Sequence, residues 1–287
     1  MKTFRIFCDG GFGNRFSALI GGLALSKISG IPPKISWPSN SVCRALFEDI
    51  FSNTDIEYDS KNIRDYYSYS KEYNLISNYS EYLKFFIASR TEPENLNIDR
   101  FLNLVSESEK PVFYYTPHLY NWIPKEEISQ IIKQLKFVDY IDSEVSNFIE
   151  NNFGNSTYYG IHIRSTDFAT IEKYDVDYYV KLVNESKDKK FFICSDDKKV
   201  EDRFLDLENC FVYKKREYVR KLYPEQDWRY AYTDSDGRYS VFNVERSKIS
   251  VIDAIIDFLI LSKSNIIKTG NESTFLKMAI ILGENKK

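Results

Sequence analysis

The stretch Tyr158-Tyr159-Gly160-Ile161-His162-Ile163-Arg164-Ser165-Thr166-Asp167 places a histidine, an arginine and an aspartate at the carboxyl end of an apolar run. The run reads as a buried strand. Alternation sends His162 and Arg164 to one side and Ile161 and Ile163 to the other. A guanidinium at a strand end suits a phosphate, because its donors form a rigid fork that matches phosphate oxygens. The same residues also fit a strand-end arginine paired structurally with Asp167.

Three further groups could do chemistry. The turn Gly10-Gly11-Phe12-Gly13 starts a helix where backbone N–H groups and the positive dipole end can face an anion. It matches neither the dinucleotide fingerprint nor the phosphate-binding loop, whose lysine is missing. Asp9, just before it, is a candidate general base or a simple turn cap. Ser273 and Thr274, after Gly270, could give hydroxyls and N–H groups to a phosphate, or serve only as a helix cap. The acid pairs in Ser195-Asp196-Asp197 and Asp234-Ser235-Asp236 lack any His or Cys reinforcement, so no metal site is expected. His118 and His162 have no nucleophile context, and cysteine spacing excludes zinc.

The elements that position these groups follow from periodicity. A strand over Thr3–Asp9 precedes a helical pattern through Phe16, Leu19, Ile20, Leu23, Ala24 and Ile28. Strands are predicted at Lys34–Trp37 and Pro111–Thr116, and helices at Val42–Phe51, 125–136 and 139–152. Residues 40–150 carry no recognisable motif, and 55–110 are polar and Tyr-rich. Asn151 to Asn155 is a turn-rich break, dividing the chain into domains 1–153 and 154–287. The second half alternates strands at Tyr158–Arg164, Lys190–Ser195, Cys210–Lys214 and Asn265–Thr269 with helices at about 175–187, 197–206, 250–263 and 272–282. This rhythm predicts an α/β fold with mainly parallel sheets covered by helices on both faces. The charged loop 216–249 is too long for a plain connector and reads as a lid or an insertion. In such sheets ligands bind beyond the carboxyl ends of the strands, where the candidate residues collect.

Composition sets the outer bounds. With 287 residues, 43% hydrophobic and 28% charged, the chain can build two cores. A net charge of −3 gives no basic field for nucleic acid. The basic clusters Lys187/Lys189/Lys190 and Lys214-Lys215-Arg216 read as solvated loops. The 22 Tyr and 21 Phe serve core packing, with Tyr also suited to stacking on sugars. Cys8, Cys43, Cys194 and Cys210 form no C-x-x-C pair and read as buried thiols of a reducing compartment. MKTFRIFCDGG meets acid and glycine too early for a signal peptide, and Val251–Leu261 carries Asp253 and Asp257, so no bilayer span is expected. These points make a soluble, cytoplasmic protein the expectation.

His162-x-Arg164-x-x-Asp167 resembles the H-x-R-x-x-D motif of the fucosyltransferase superfamily that includes α-1,2-, α-1,6- and protein O-fucosyltransferases. Gly10-Gly11-Phe12-Gly13-Asn14-Arg15 is similar to that group's N-terminal Gly-Gly-x-x-Asn turn. Phe191 to Asp197 resembles its second C-terminal motif, and Ala254 to Lys263 followed by Gly270 to Phe275 resembles its third. The resemblance covers residues 158–283 and one N-terminal turn. It implies a GT-B fold, two Rossmann-like domains facing a central cleft, with a sugar nucleotide held mainly by the second. It also implies an inverting, metal-independent glycosyltransferase with no cofactor, moving fucose from GDP-fucose to a glycan acceptor. GDP-mannose or a similar donor, or a non-catalytic sugar-nucleotide-binding module, are the alternatives; a kinase is disfavoured by the missing lysine.

Carried over by position, Arg164 binds the diphosphate and stabilises the departing nucleotide. His162 and Asp167 orient Arg164 or touch the nucleotide. Asp196 lies near guanine or ribose, and Ser273 and Thr274 hold phosphate oxygens. Gly11, Gly13, Asn14 and Arg15 reach the donor from the other domain, and Asp9 stands where some relatives place a base. Donor sugar, acceptor, linkage and oligomeric state are not assigned by the motifs.

Overall fold

The computed structural model describes residues 2–53, 55–61, 74–77, 89–91, 97–107, 111–116, 119–166, 176–233, 239–240, 242–268 and 273–286. The chain forms two compact units, one of Met1–Ser39 with Leu46–Phe137, the other of Asn40–Ala45 with Val138–Asn285. The division therefore falls at Phe137/Val138 and not at 153/154, because the helix before the turn-rich break packs with the second unit.

The first unit holds β1 (Phe4–Phe7), α1 (Phe12–Ser29), β2 (Pro33–Ser36), β3 (Tyr58–Asp59), β4 (Asn74–Ser77), β5 (Ser89–Thr91), α2 (Ile98–Ser106), β6 (Val112–Tyr115) and α3 (Lys125–Gln134). Its sheet is parallel, in the order β3-β2-β1-β6-β4-β5. All four residues of β1 are buried, as expected of a central strand. α1 lies close on it: a Cβ on Gly22 would stand 2.6 Å from Ile6 Cγ2. Arg5, inside β1, donates to Ser36 Oγ (2.8 Å) and Asp59 Oδ2 (2.7 Å), so its buried charge is paired within the sheet.

The helix expected over Val42–Phe51 does not form. Asn40–Ala45 turns back through reciprocal Asn40–Cys43 backbone hydrogen bonds and belongs to the second unit. Beyond it only a single 3₁₀ turn, Phe47–Asp49, is made, and Asp49 accepts from the Leu46 N–H at 2.9 Å. Phe47 and Phe51 join Trp37 in an aromatic cluster of the first unit. The apolar spacing was helical, but its two halves are drawn to different cores.

The second unit holds α4 (Asp139–Asn152), β7 (Tyr158–Ile163), α5 (Val176–Glu185), β8 (Lys190–Ser195), α6 (Lys198–Asp202), β9 (Cys210–Val212), a β10 (Tyr232–Thr233) and β11 (Tyr239–Ser240) antiparallel pair, α7 (Lys248–Ser262), β12 (Asn265–Ile266) and α8 (Thr274–Lys286). Its main sheet is parallel, ordered β12-β7-β8-β9. Alternation sets the two faces. Ile161, Ile163, Phe191 and Ile193 pack with Tyr179 and Val183 of α5 and Val200 of α6. On the opposite face Phe192 meets Phe148 of α4, ring centroids 5.6 Å apart, and the Tyr158 hydroxyl donates to the Ile260 carbonyl of α7 at 2.7 Å. The expected parallel sheet with helices on both faces is observed here.

α7 is buried almost all round, as a helix enclosed by its own domain should be. It starts at Lys248 because Ser247 caps it, accepting from the Ser250 N–H at 3.0 Å. Among the described residues no helix is long and apolar enough to cross a membrane. Within the charged segment after Lys215, residues 223–227 are pinned by Asn243, which is fully buried; its side chain donates to the Tyr223 and Asp227 carbonyls (each 2.9 Å) and accepts from the Tyr223 N–H (2.7 Å).

Candidate functional site

In each sheet the strand order reverses direction beside a central strand, and such switch points open a crevice beyond the carboxyl ends. In the first unit the reversal lies between β1 and β6, and the Asp9–Gly13 turn follows β1 there. In the second it lies between β7 and β12, so Arg164 follows one bordering strand and Ser273 and Thr274 follow the other.

The first turn is built for close approach. Gly10 has φ +80°, a left-handed conformation that glycine adopts without strain, and a Cβ there would meet the Asn14 amide at 3.0 Å. Gly11 opens α1 with extended backbone, has open space where a Cβ would stand, and caps the helix with no side chain. Gly13 is buried and Asn14 half-buried. Asp9 Oδ1 accepts from the Gly10 N–H (2.7 Å), and the Tyr115 hydroxyl lies 3.5 Å from Oδ2. Asp9 thus shapes the turn while keeping 27% of its side chain exposed.

Arg15 departs from expectation. Its side chain has no exposed surface. Nε donates to the Gly10 carbonyl and Nη1 to the Pro38 carbonyl, each at 2.7 Å, and the guanidinium lies 5.1 Å from the Trp37 ring centre. A buried cation satisfies carbonyls that no water reaches. Arg15 therefore holds the turn from beneath and does not extend toward a donor.

In the second unit β7 delivers His162 inward and Arg164 to the rim. His162 is 7% exposed and stacks on Phe275 of α8, centroids 4.9 Å apart. Burial, then the charges of Arg164 and Lys215, pull its imidazole down to about 3, so the ring is neutral at physiological pH. The Arg164 side chain is 21% exposed, its Nε 3.9 Å from Asp196 Oδ2. Asp196, at the end of β8, is engaged on both oxygens: Oδ1 accepts from the Ser165 N–H (2.7 Å), Oδ2 from the Thr166 hydroxyl. Asp197 caps α6, accepting from the Lys199 N–H at 2.9 Å. Ser273 caps α8, accepting from the Leu276 N–H at 3.2 Å, while Thr274 begins the helix; both are half-buried. Asp167, His118, Asp234, Asp236, Gly270, Asn271 and Glu272 lie outside the described residues.

The sequence reading missed the buried cluster around Lys215. Lys215 is not solvated: its side chain is 5% exposed and bridges Asp257 Oδ2 (2.6 Å) and Glu201 Oε1. Glu201 also accepts from the Ser195 N–H (2.7 Å) and the Tyr218 hydroxyl. Its neighbour Arg216 grips Asp253, with Nε at 2.9 Å from Oδ1 and the backbone N–H at 2.6 Å from Oδ2. Asp253 and Asp257 are one helical turn apart in a mostly apolar helix, a signal that each needs a cationic partner. Burial pulls the Lys215 ammonium down, but the two carboxylates outweigh it and hold it above its usual range. Burial pushes the Asp257 carboxyl up, against the pull of Lys215. Among the described residues no group of three or more His, Cys, Asp or Glu side chains is arranged to hold a metal. All four cysteines are free, and Cys8, Cys43 and Cys194 are buried.

Two α/β units with parallel sheets, each bearing polar groups at a switch point, define a protein of the GT-B fold class. Solved fucosyltransferases share this fold. NodZ from Bradyrhizobium matches with TM-score 0.57 and 15% identity over 98% of this chain and 94% of that one. NodZ alpha-1,6-fucosyltransferase soaked with GDP-fucose matches with TM-score 0.59 and 15% identity, over 98% and 93%. POFUT1 in complex with GDP-fucose matches with TM-score 0.50 and 11% identity, over 98% and 94%. No protein-family model and no curated protein matches the chain. At these identities the likeness is one of fold.

Proposed function

We propose that the chain is an inverting, metal-independent glycosyltransferase that moves fucose from GDP-fucose to a glycan acceptor. The observation that carries this reading is Arg164, partly exposed at the carboxyl end of β7 beside a switch point, in a chain sharing almost its whole fold with enzymes solved with GDP-fucose. The acceptor hydroxyl oxygen attacks the anomeric carbon from the face opposite the nucleotide. The bond from that carbon to the β-phosphate oxygen breaks, and its electron pair leaves with GDP. Charge grows on the phosphate oxygens, and a fixed guanidinium stabilises it there without reorganisation. The N–H groups and hydroxyls of Ser273 and Thr274 at the start of α8 add to that field. Asp9, partly exposed and preceding the glycine turn, takes the proton of the acceptor hydroxyl, so atoms and charge balance.

The test is a thermal-shift series with GDP, GDP-fucose, GDP-mannose, UDP and UDP-glucose, followed by donor hydrolysis with and without glycan acceptors. A ligand that binds only the native state raises its melting point. The expected result is stabilisation by GDP and GDP-fucose, with fucose release that survives excess EDTA. Stabilisation by UDP compounds alone rejects the donor assignment, binding without turnover rejects the enzyme, and loss of activity in EDTA restored by Mn²⁺ rejects metal independence.

A further inference from the structure

The donor-binding reading leaves the buried cluster Glu201–Lys215–Asp257 unused, although it lies at the carboxyl end of β8. Its centre is Glu201, 1% exposed. Three donors converge on this one carboxylate: the Lys215 ammonium, the Tyr218 hydroxyl and the backbone N–H of Ser195, the last residue of β8. A carboxylate that loses its water is kept only where such donors replace it. Asp257 holds Lys215 from the far side, and its Oδ1 meets no hydrogen-bonding group among the described residues.

The link from this cluster to the rim is continuous. Glu201 fixes the N–H of Ser195, and the Ser195 hydroxyl accepts from the Asp197 N–H at 3.1 Å. Between them stands Asp196, whose two oxygens hold the backbone of Ser165 and the hydroxyl of Thr166. Ser165 directly follows Arg164. β7 and β8 are in register up to Ile163 and Ser195; beyond that pair the sheet's own hydrogen bonds stop, and Asp196 takes over.

We infer that Glu201 is a positioning residue for Arg164, acting through Ser195 and Asp196 from a pedestal formed with Lys215, Tyr218 and Asp257. This rests on the reading of Arg164 as the phosphate-binding group. A carboxylate present only for fold stability would be indifferent to how the β7 end is held. A positioning carboxylate sets the angle at which the guanidinium meets its anion, and small misplacements of such groups are costly in turnover.

The experiment compares the native protein with Glu201→Gln, which keeps the size and loses the charge. Tyr218→Phe, which removes one donor without opening a cavity, is the alternative should the first not fold. The first readout needs no substrate: amide hydrogen exchange at Ser195 and Ser165 by NMR. Both are expected to exchange at least about tenfold faster, because the single neutral amide oxygen of the variant side chain accepts more weakly than a carboxylate and cannot serve the Ser195 N–H, Lys215 and Tyr218 together. Faster exchange at Ser195 with Ser165 unchanged overturns the inference. The second readout is GDP-fucose turnover, where kcat is expected to fall about tenfold with KM nearly constant, and the loss should be absent on an Arg164→Ala background. Additive losses overturn the inference. A native protein that turns over no GDP-fucose, yet shows coupled exchange at the two amides, refutes the donor assignment and leaves the positioning intact.

Discussion

The imidazole of His162 stacks on the ring of Phe275, 4.9 Å between centroids and 26° between planes. That one contact ties the end of strand β7 to the first turn of α8. Phe275 in turn meets Phe258 of α7 edge-on at 5.3 Å, so the stack on His162 is continued into a second helix. The histidine of the H-x-R pattern is thus a packing element in its neutral form.

This burial has a pH signature. The His162 imidazole is pulled down to about 3 in the folded chain, against an ordinary value of 6.5. Between these values the unfolded chain binds a proton that the folded one refuses, so this contribution to stability is present above pH 6.5 and is lost as pH falls toward 3. The limiting slope for one group is about 1.4 kcal/mol per pH unit. Urea unfolding from pH 7 to pH 5 is expected to show a shallower loss in His162→Gln than in the native protein. Parallel pH profiles would disprove a buried neutral imidazole.

Arg164→Ala is expected to lower GDP-fucose turnover at least ~100-fold, as for loss of a comparable oxyanion donor. Arg164→Lys should recover only part of this, because an ammonium cannot reproduce a planar fork. Full activity in Arg164→Ala sinks the phosphate role.

Arg15 tests the opposite case. Arg15→Met removes two hydrogen bonds from a charged donor and leaves the carbonyls of Gly10 and Pro38 short of partners. A cost of about 3 kcal/mol in urea unfolding is expected. GDP affinity of the folded variant should fall only as far as the turn relaxes. Unchanged stability with abolished GDP binding would restore the idea that Arg15 touches the donor.

Much of this was readable before any coordinates, and the pattern of success is physical. Strand β7 was legible because Ile161 and Ile163 alternate with His162 and Arg164, and a two-residue period admits few alternatives. The rim was legible because parallel sheets collect polar groups at one end. Arg15, expected to reach a donor, and Lys215, expected to be solvated, are both buried, because a basic side chain next to a turn looks available unless its partner is known. For Arg15 the partners include the carbonyls of Gly10 and Pro38, which leave no trace in a sequence, beside the Asp9 carboxylate at 4.0 Å. For Lys215 they are Asp257 and Glu201, on other elements, and only the incongruous acids inside the apolar α7 hinted at them. The segment Val42–Phe51 failed because periodicity assumes that one core claims the whole run.

Lys215 gives the sharpest stability prediction. Lys215→Met removes the only cation bonded to Glu201 and Asp257 among the described residues, leaving two buried carboxylates facing one another. Breaking such a pair from one side costs about 3–5 kcal/mol. The sign with pH follows. A carboxyl pushed up by burial, as Asp257 is, holds its proton in the folded chain at pH values where the unfolded chain has lost it. Its stabilisation is therefore present at low pH and is lost as pH rises through the folded value. Without the ammonium both acids should move further up, so Lys215→Met is expected to regain stability between pH 8 and pH 5. The native protein should gain less over the same range, because its ammonium holds the Asp257 carboxyl lower than it stands in the variant. Lys215→Met/Asp257→Leu, which replaces half of the stranded charge with apolar volume, should recover part of the loss at pH 8. A Lys215→Met protein as stable as the native chain at pH 8 would show that the ammonium is not what keeps these two acids in place.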